Sequence, residues 1–361
     1  MENCRLCRQN KADKKNAHLI PHFLIKTAVN EGGSKEREKE LVFGLSSTGL
    51  VDVYFGRELS VEKITEVLGR EETDEEIVAR QDPFARDYLV CSKCEKKLSI
   101  LEGYVAQQLY NPLLKGKVSK TIKDSHGRSI AVYEQLSPHL YALFVYSIFW
   151  RASAGSYGGF KLQPNIEEEL RDYLNIHLLD DIDEMIASFG GSQLLPFPIT
   201  STYAPTPNEV DPTANSITAE NTRFPYFITA NAMTFQMFEK PKQVKASVQH
   251  LHGLSRMIDR VLPCMFDASH LKVALLTEEE GRALVNYPLQ QFATTETRLL
   301  RGTFQELCMR AFGKKPGPLM ENRYIQHFMK EGIPLGARYT AHHMAQSAMD
   351  TFIDFGLAPN A

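Results

Sequence analysis

The chain has 361 residues, 43% of them hydrophobic and 24% charged, which excludes a disordered polypeptide and allows a substantial core, read here as two domains. A formal charge of -3 excludes a nucleic-acid surface built on whole-chain positive charge, so any such surface has to come from local clustering. The longest apolar run, Leu140 to Trp150, is far shorter than the roughly 20 residues that cross a bilayer. No apolar segment follows a basic start. The expectation is a soluble, cytoplasmic protein with no membrane partner.

In chain order, the first organising feature is Cys4-Arg-Leu-Cys7, to be read with Cys91-Ser-Lys-Cys94. Two Cys-x-x-Cys pairs fit a four-thiolate zinc site, because a two-residue spacer lets one tight knuckle present both sulfurs to a tetrahedral ion at about 2.3 Å. A redox Cys-x-x-Cys is the alternative, and neither pair sits in the strand-to-helix unit that such chemistry uses. Arg5, Arg8, Lys11, Lys14 and Lys15 give the first knuckle a positive rim. His18 to Ile25 reads as a short extended segment interrupted by Pro21. Leu41–Gly44 and Leu50–Phe55 read as two strands, Val61–Leu68 as a helix, and the stretch of about 30–88 as an insertion between the two halves of the zinc site.

After Cys94 the apolar positions Leu98, Leu101, Val105 and Leu109 follow helical spacing, so the second knuckle opens a helix, which Pro112 closes. Lys115, Lys117, Lys120, Lys123 and Arg128 form a basic loop. Ser137-Pro138 starts a helix whose run Leu140–Trp150 is apolar on every side and predicts a buried axis. Helices are expected at 164–171 and 179–189, a long loop at 194–225, and a strand pair at 225–239 turning near Ala230-Asn231. Further helices are expected at 244–262, 294–312, 322–331 and 340–355. His250, His252, His342 and His343 are poorly spaced on helices to share an ion. Cys264 and Cys308 read as buried small hydrophobes, and Trp150 as a core anchor.

At Ala17-His18-Leu-Ile-Pro21, set between the two cysteine pairs, the sequence resembles the HNH (His-Me finger) endonuclease module, a treble-clef (ββα-metal) fold with a structural zinc. The resemblance covers about the first 110 residues and implies that Cys4, Cys7, Cys91 and Cys94 hold zinc while His18 is the general base. It also implies a catalytic Mg²⁺ or Mn²⁺ ion. Where typical members carry Asp, His or Glu before the histidine, this chain has Ala17, and where His or Asn follows the second pair it has Glu95. Glu95, Glu102 and Asp87 are the carboxylates able to take the ion's place of binding, since a hard divalent ion prefers such oxygens. The longer combination with Leu89-Val-Cys-Ser-Lys-Cys-Glu95 and Ser147-Ile-Phe-Trp-Arg-Ala-Ser153 is similar to bacterial proteins with an HNH-like front end, which implies nucleic-acid metabolism or defence against foreign DNA.

The expectation is therefore an α+β protein. Residues 1–128 form the zinc-binding treble clef, and residues 129–361 form a mainly helical domain with a small antiparallel sheet. Its function is metal-dependent phosphodiester hydrolysis on nucleic acid, DNA first, with Lys93, Lys96, Lys97, Lys115, Lys117, Lys120 and Lys123 as phosphate contacts. The rival reading is a non-catalytic zinc module that binds nucleic acid or a partner protein.

Overall fold

The computed structural model describes residues 2–29, 40–45, 51–56, 59–71, 73–74, 82–118, 120–124, 127, 129–191, 195–204, 217–220, 225–246, 269–330 and 341–357. His250, His252, Cys264 and most of the helix expected at 244–262 lie outside them. By packing, the chain divides into residues 1–35 with 81–287, and residues 36–80 with 288–361. This grouping differs from the expected boundary near 128: the polypeptide following the second cysteine pair belongs with the pair, and the insertion groups with the C-terminal helices.

The first unit is built on a seven-stranded sheet in the order β5-β6-β11-β7-β10-β9-β8. Its strands are β5 Lys120–Lys123, β6 Ser129–Tyr133, β7 Ile199–Tyr203, β8 Ile217–Glu220, β9 Tyr226–Ala230, β10 Met233–Met237 and β11 Leu271–Leu275. Neighbours run antiparallel except β11 and β7, which are parallel. The small antiparallel sheet expected from sequence is thus too small and of the wrong type. The expected loop at 194–225 contains β7, a central strand, and the expected basic loop contains β5. At the sheet's edge, β5 is exposed along its whole length, and its lysines suit it to that place because charged edge strands resist pairing with other chains. The β9–β10 hairpin turns where expected, with Asn231 in the left-handed region at φ 54°.

The expected axial helix, α5 (Pro138–Ala154), lies against this sheet. Tyr141 donates to Ser201 Oγ at 2.7 Å, Tyr146 donates to the Phe197 carbonyl, and Phe144 meets Phe235 edge-on at 6.2 Å. All its residues but His139 are buried, including Trp150. On the other sheet face Thr218, Thr229, Thr234 and Thr202 stand side by side across four strands. Helices α6 (Pro164–His177), α7 (Ile182–Ser188) and α8 (Pro241–Ala246) complete this part of the unit, with Asp181 capping α7 through the amides of Asp183 and Glu184.

Nearer the N-terminus, the pairing of β1 (Ala17–His18) with β4 (Ala85–Arg86) is limited to two residues on each strand. His22 does not continue the strand: it opens helix α1 (His22–Val29), because Pro21 fixes a backbone suited to helix entry and Leu24, Ile25 and Val29 form a buried stripe. Helix α3 (Ser92–Val105) buries Leu98, Leu101 and Val105 as expected. Pro112 does not end the helical path: a π-helical turn, Ala106–Tyr110, leads into α4 (Asn111–Leu114), which holds Pro112 in its first turn, where a missing N–H costs little.

In the second unit, β2 (Leu41–Leu45) and β3 (Val51–Phe55) form the expected hairpin and α2 (Val61–Leu68) the expected helix. Ser60 caps α2, and Gly69 ends it at φ 68°. The C-terminal helices α9 (Glu278–Phe312), α10 (Pro318–Lys330) and α11 (Ala341–Asp354) supply a core in which Phe304, Cys308, Tyr324, Phe328 and Phe352 are buried. Residues 278–287 of α9 group with the first unit. No helix of the described residues is long and apolar enough to cross a membrane.

Candidate metal centre

The first knuckle is closed by its own backbone. Cys4 N–H donates to Asn10 O at 2.8 Å, Arg8 N–H donates to Cys4 O at 2.9 Å, and Arg8 takes a left-handed conformation at φ 58° to turn the chain after Cys7. The approach to the second pair is stitched onto this loop: Arg5 N–H reaches Leu89 O, Lys14 N–H reaches Val90 O, and Tyr88 N–H reaches Lys14 O. Cys91 then occupies the N-cap of α3, with Cys94 in the first turn. The helix start thereby aims amides and the positive end of its dipole at the thiols, which favours their thiolate form. Cys91 makes no side-chain cap, and Asp13 supplies one from the first knuckle by accepting from Ser92 N–H at 2.6 Å.

The result is that the four sulfurs of Cys4, Cys7, Cys91 and Cys94 all lie within 4.8 Å of one another, with Cys7 and Cys91 at 3.9 Å. Sulfurs at the corners of a tetrahedron about 2.3 Å from a central ion are about 3.8 Å apart. All four are free thiols. Asn10 Nδ2 stands 3.7 Å from both Cys7 Sγ and Cys91 Sγ, an outer contact that would orient the ligands. Without an ion such crowding favours only partial ionisation: the Cys94 thiol holds Cys4 down to about 4, while its bond to Cys4 and burial push Cys94 far up. A central dication is what allows every sulfur to be a thiolate.

A second cluster lies on the inward face of α3. His18 is half-buried, and its ring lies 5.5 Å from that of His22. Its carbonyl accepts from Arg151 Nη1 at 3.0 Å. Arg151, only 1% exposed, projects from α5 and bonds back to Ser147 through Nε and Nη2. Its Nη2 is also 2.6 Å from Glu102 Oε1, an ion pair that lacks the alignment of a hydrogen bond. Glu102 Oε1 and Glu95 Oε2 are buried atoms that receive no hydrogen bond. Burial raises the Glu95 carboxyl above the usual range; Arg151 and Lys14 oppose the shift and Glu102 adds to it. Glu95 Oε2 is thus a buried oxygen without a hydrogen bond, while Glu102 Oε1 has Arg151 as its ion-pair partner, and carboxylate oxygens are the ligands a small hard cation takes.

Asp87 is not brought into this set: its Oδ1 accepts from Asn16 N–H at 2.8 Å and braces the knuckle. Of the expected phosphate contacts, Lys97 faces Asp180 at 3.9 Å, Lys120 pairs with Glu134 at 2.9 Å, and Lys123 donates to Ser129 at 2.8 Å. Lys93, Lys96, Lys115 and Lys117 are exposed. The basic rim is likewise partly engaged, since Arg8 forms a two-bond pair with Glu168.

Sequence reasoning missed how the cysteine module is fastened. Three cations from separate segments cap the carbonyls at the end of α5: Lys161 bonds Ser153 O at 2.6 Å, Arg5 bonds Ala154 O at 2.8 Å, and Arg86 bonds Gly155 O at 3.2 Å. Arg171 adds a bond to Leu6 O at 3.0 Å. Cations at a helix C-terminus satisfy orphan carbonyls and oppose the dipole. Asn10, three residues beyond Cys7, and Arg151, the charge directly after the apolar run, are the visible signals. Comparison of the chain with known families, with curated proteins and with solved structures finds no match to any of them.

Proposed function

We propose that the protein is a metal-dependent nuclease of the HNH kind, stabilised by zinc in a treble-clef module. The observation that carries the proposal is the pair of buried carboxylate oxygens on the helix that the second cysteine pair opens, Glu95 Oε2 without a hydrogen bond and Glu102 Oε1 paired with Arg151, whose fork also holds the carbonyl of His18. Four thiols at tetrahedral separations suit zinc, which prefers sulfur ligation in closed structural sites. Glu95 and Glu102 would hold a divalent Mg²⁺ or Mn²⁺ ion, which supplies stabilisation of charge on the leaving oxygen.

In this reading His18 acts as the general base and takes a proton from the attacking water through its imidazole nitrogen. The β1–β4 pairing and the bond from Arg151 to the His18 carbonyl hold its backbone. Exposed Lys93, Lys96, Lys115 and Lys117 would meet phosphates of the substrate, DNA in the first instance. The setting proposed is bacterial nucleic-acid metabolism or defence.

The second reading is a zinc module that binds nucleic acid or a partner protein without cleaving, favoured by Ala17 and by the ion pair already occupying Glu102. Cleavage of plasmid DNA and single-stranded RNA by the wild type and by His18→Ala, with Mg²⁺ or Mn²⁺ supplied, separates the two. The nuclease reading expects activity that disappears with His18. Zinc-loaded, folded wild type without activity, or activity that survives the substitution, refutes the site described here.

A further inference from the structure

We infer that Arg151 is the positioning residue that fixes His18 relative to the Glu95–Glu102 pair, an inference that rests on the nuclease reading. His18 is on β1, both carboxylates are on α3, and the residue that reaches across to both is contributed by α5, more than forty residues beyond the second cysteine pair. One nitrogen of its fork holds the His18 carbonyl at 3.0 Å, and the other stands 2.6 Å from Glu102. Ser147 holds the guanidinium from behind through its carbonyl and hydroxyl.

The shape of the side chain matters as much as its charge. A guanidinium is a rigid plane with donors in fixed directions, so it can hold two targets at a set separation. An ammonium is a point charge on a flexible stem and cannot. Burial to 1% exposure leaves the fork no solvent to turn toward.

The test uses the zinc-loaded full-length chain with labelled histidine rings, the His18 signal being identified by its absence from His18→Ala. Mn²⁺ is the probe, since it broadens nearby nuclei and competes poorly for thiolates. In the wild type the His18 signal broadens on addition of Mn²⁺. In Arg151→Lys, with zinc and helix content retained, equal broadening is expected to need at least about tenfold more Mn²⁺, or about 1.4 kcal/mol. Arg151→Gln serves as a second variant should Arg151→Lys fold poorly.

An unchanged Mn²⁺ response in a folded variant overturns the inference, even where the unfolding midpoint moves, and leaves the nuclease reading intact. Loss of zinc and helix in both variants also overturns it, by placing Arg151 in folding alone. Absence of broadening in the wild type refutes the ion site itself and the inference with it.

Discussion

Gly155 follows the last turn of α5, and a methyl group there is the most revealing small perturbation of the joint between α5 and β1. A Cβ built on Gly155 lies 2.3 Å from Leu19 Cδ2, 2.9 Å from Leu19 Cδ1 and 3.0 Å from the Arg151 carbonyl oxygen. The backbone itself is permissive, at φ -87° and ψ -4°, so Gly155→Ala should gain about 0.4–1 kcal/mol from a less flexible unfolded chain. Contact distance for two carbons is about 3.5–4.0 Å, so one Leu19 methyl has to retreat by more than about 1 Å. It has little room, because Leu19 is 0% exposed and its amide is fixed to Phe84 O at 2.7 Å. Overpacking of this kind costs about 1–3 kcal/mol, and the clash wins.

The double-mutant cycle supplies the control. Leu19→Ala alone should cost about 2–5 kcal/mol by leaving a cavity. The added methyl at Gly155 then has space, so the double variant should be more stable than the sum of the two single effects by about 1–3 kcal/mol. Urea denaturation of the zinc-loaded protein, followed by circular dichroism, measures all four corners. A neutral Gly155→Ala, or strict additivity, would refute the packing described for this joint.

Other perturbations test separate parts of the account. In the C-terminal helices Phe304 stacks on Tyr324 at 4.3 Å with planes 7° apart, and Phe304→Ala should cost about 3–5 kcal/mol; a loss below about 1 kcal/mol in urea denaturation contradicts that core. Glu168 is held below the usual carboxylate range by Arg171 and then Arg8. A depressed folded pKa means that its contribution is present above the unfolded value near pH 4 and disappears as pH falls through the folded value. Glu168→Gln should therefore flatten the acid limb of the stability curve below about pH 5, and an unchanged limb counts against the Arg8–Glu168–Arg171 network.

Local chemistry made some of this architecture legible. The cysteine spacing led to the four-thiol cluster, the 3.6-residue repeat to Leu98, Leu101 and Val105, and the continuous apolar run to α5. Partners distant in sequence decided the rest. β7, Ile199-Thr-Ser-Thr-Tyr203, lies among prolines and hydroxyl side chains that suggest a loop. It becomes a central strand because β10 and β11 offer it hydrogen bonds on both edges. His22 reads as part of an extended segment from the sequence around Pro21, whereas the buried Leu24, Ile25 and Val29 make it a helix start. Glu95 and Glu102 come from the resemblance to the HNH module. Arg151 is visible as a charge directly after an apolar run, but its partners, Glu102 and the His18 carbonyl, lie far away in sequence.

The measurement that bears most directly on the account is the metal content of the purified chain, beside that of Cys91→Ser. The account predicts one tightly held zinc ion per chain in the wild type. In Cys91→Ser it predicts release of that ion and loss of folding around both knuckles, because a four-cysteine site of this type contributes about 10–16 kcal/mol in isolated zinc modules. A wild type without zinc, or a Cys91→Ser protein that keeps both zinc and stability, would contradict the four-thiolate centre.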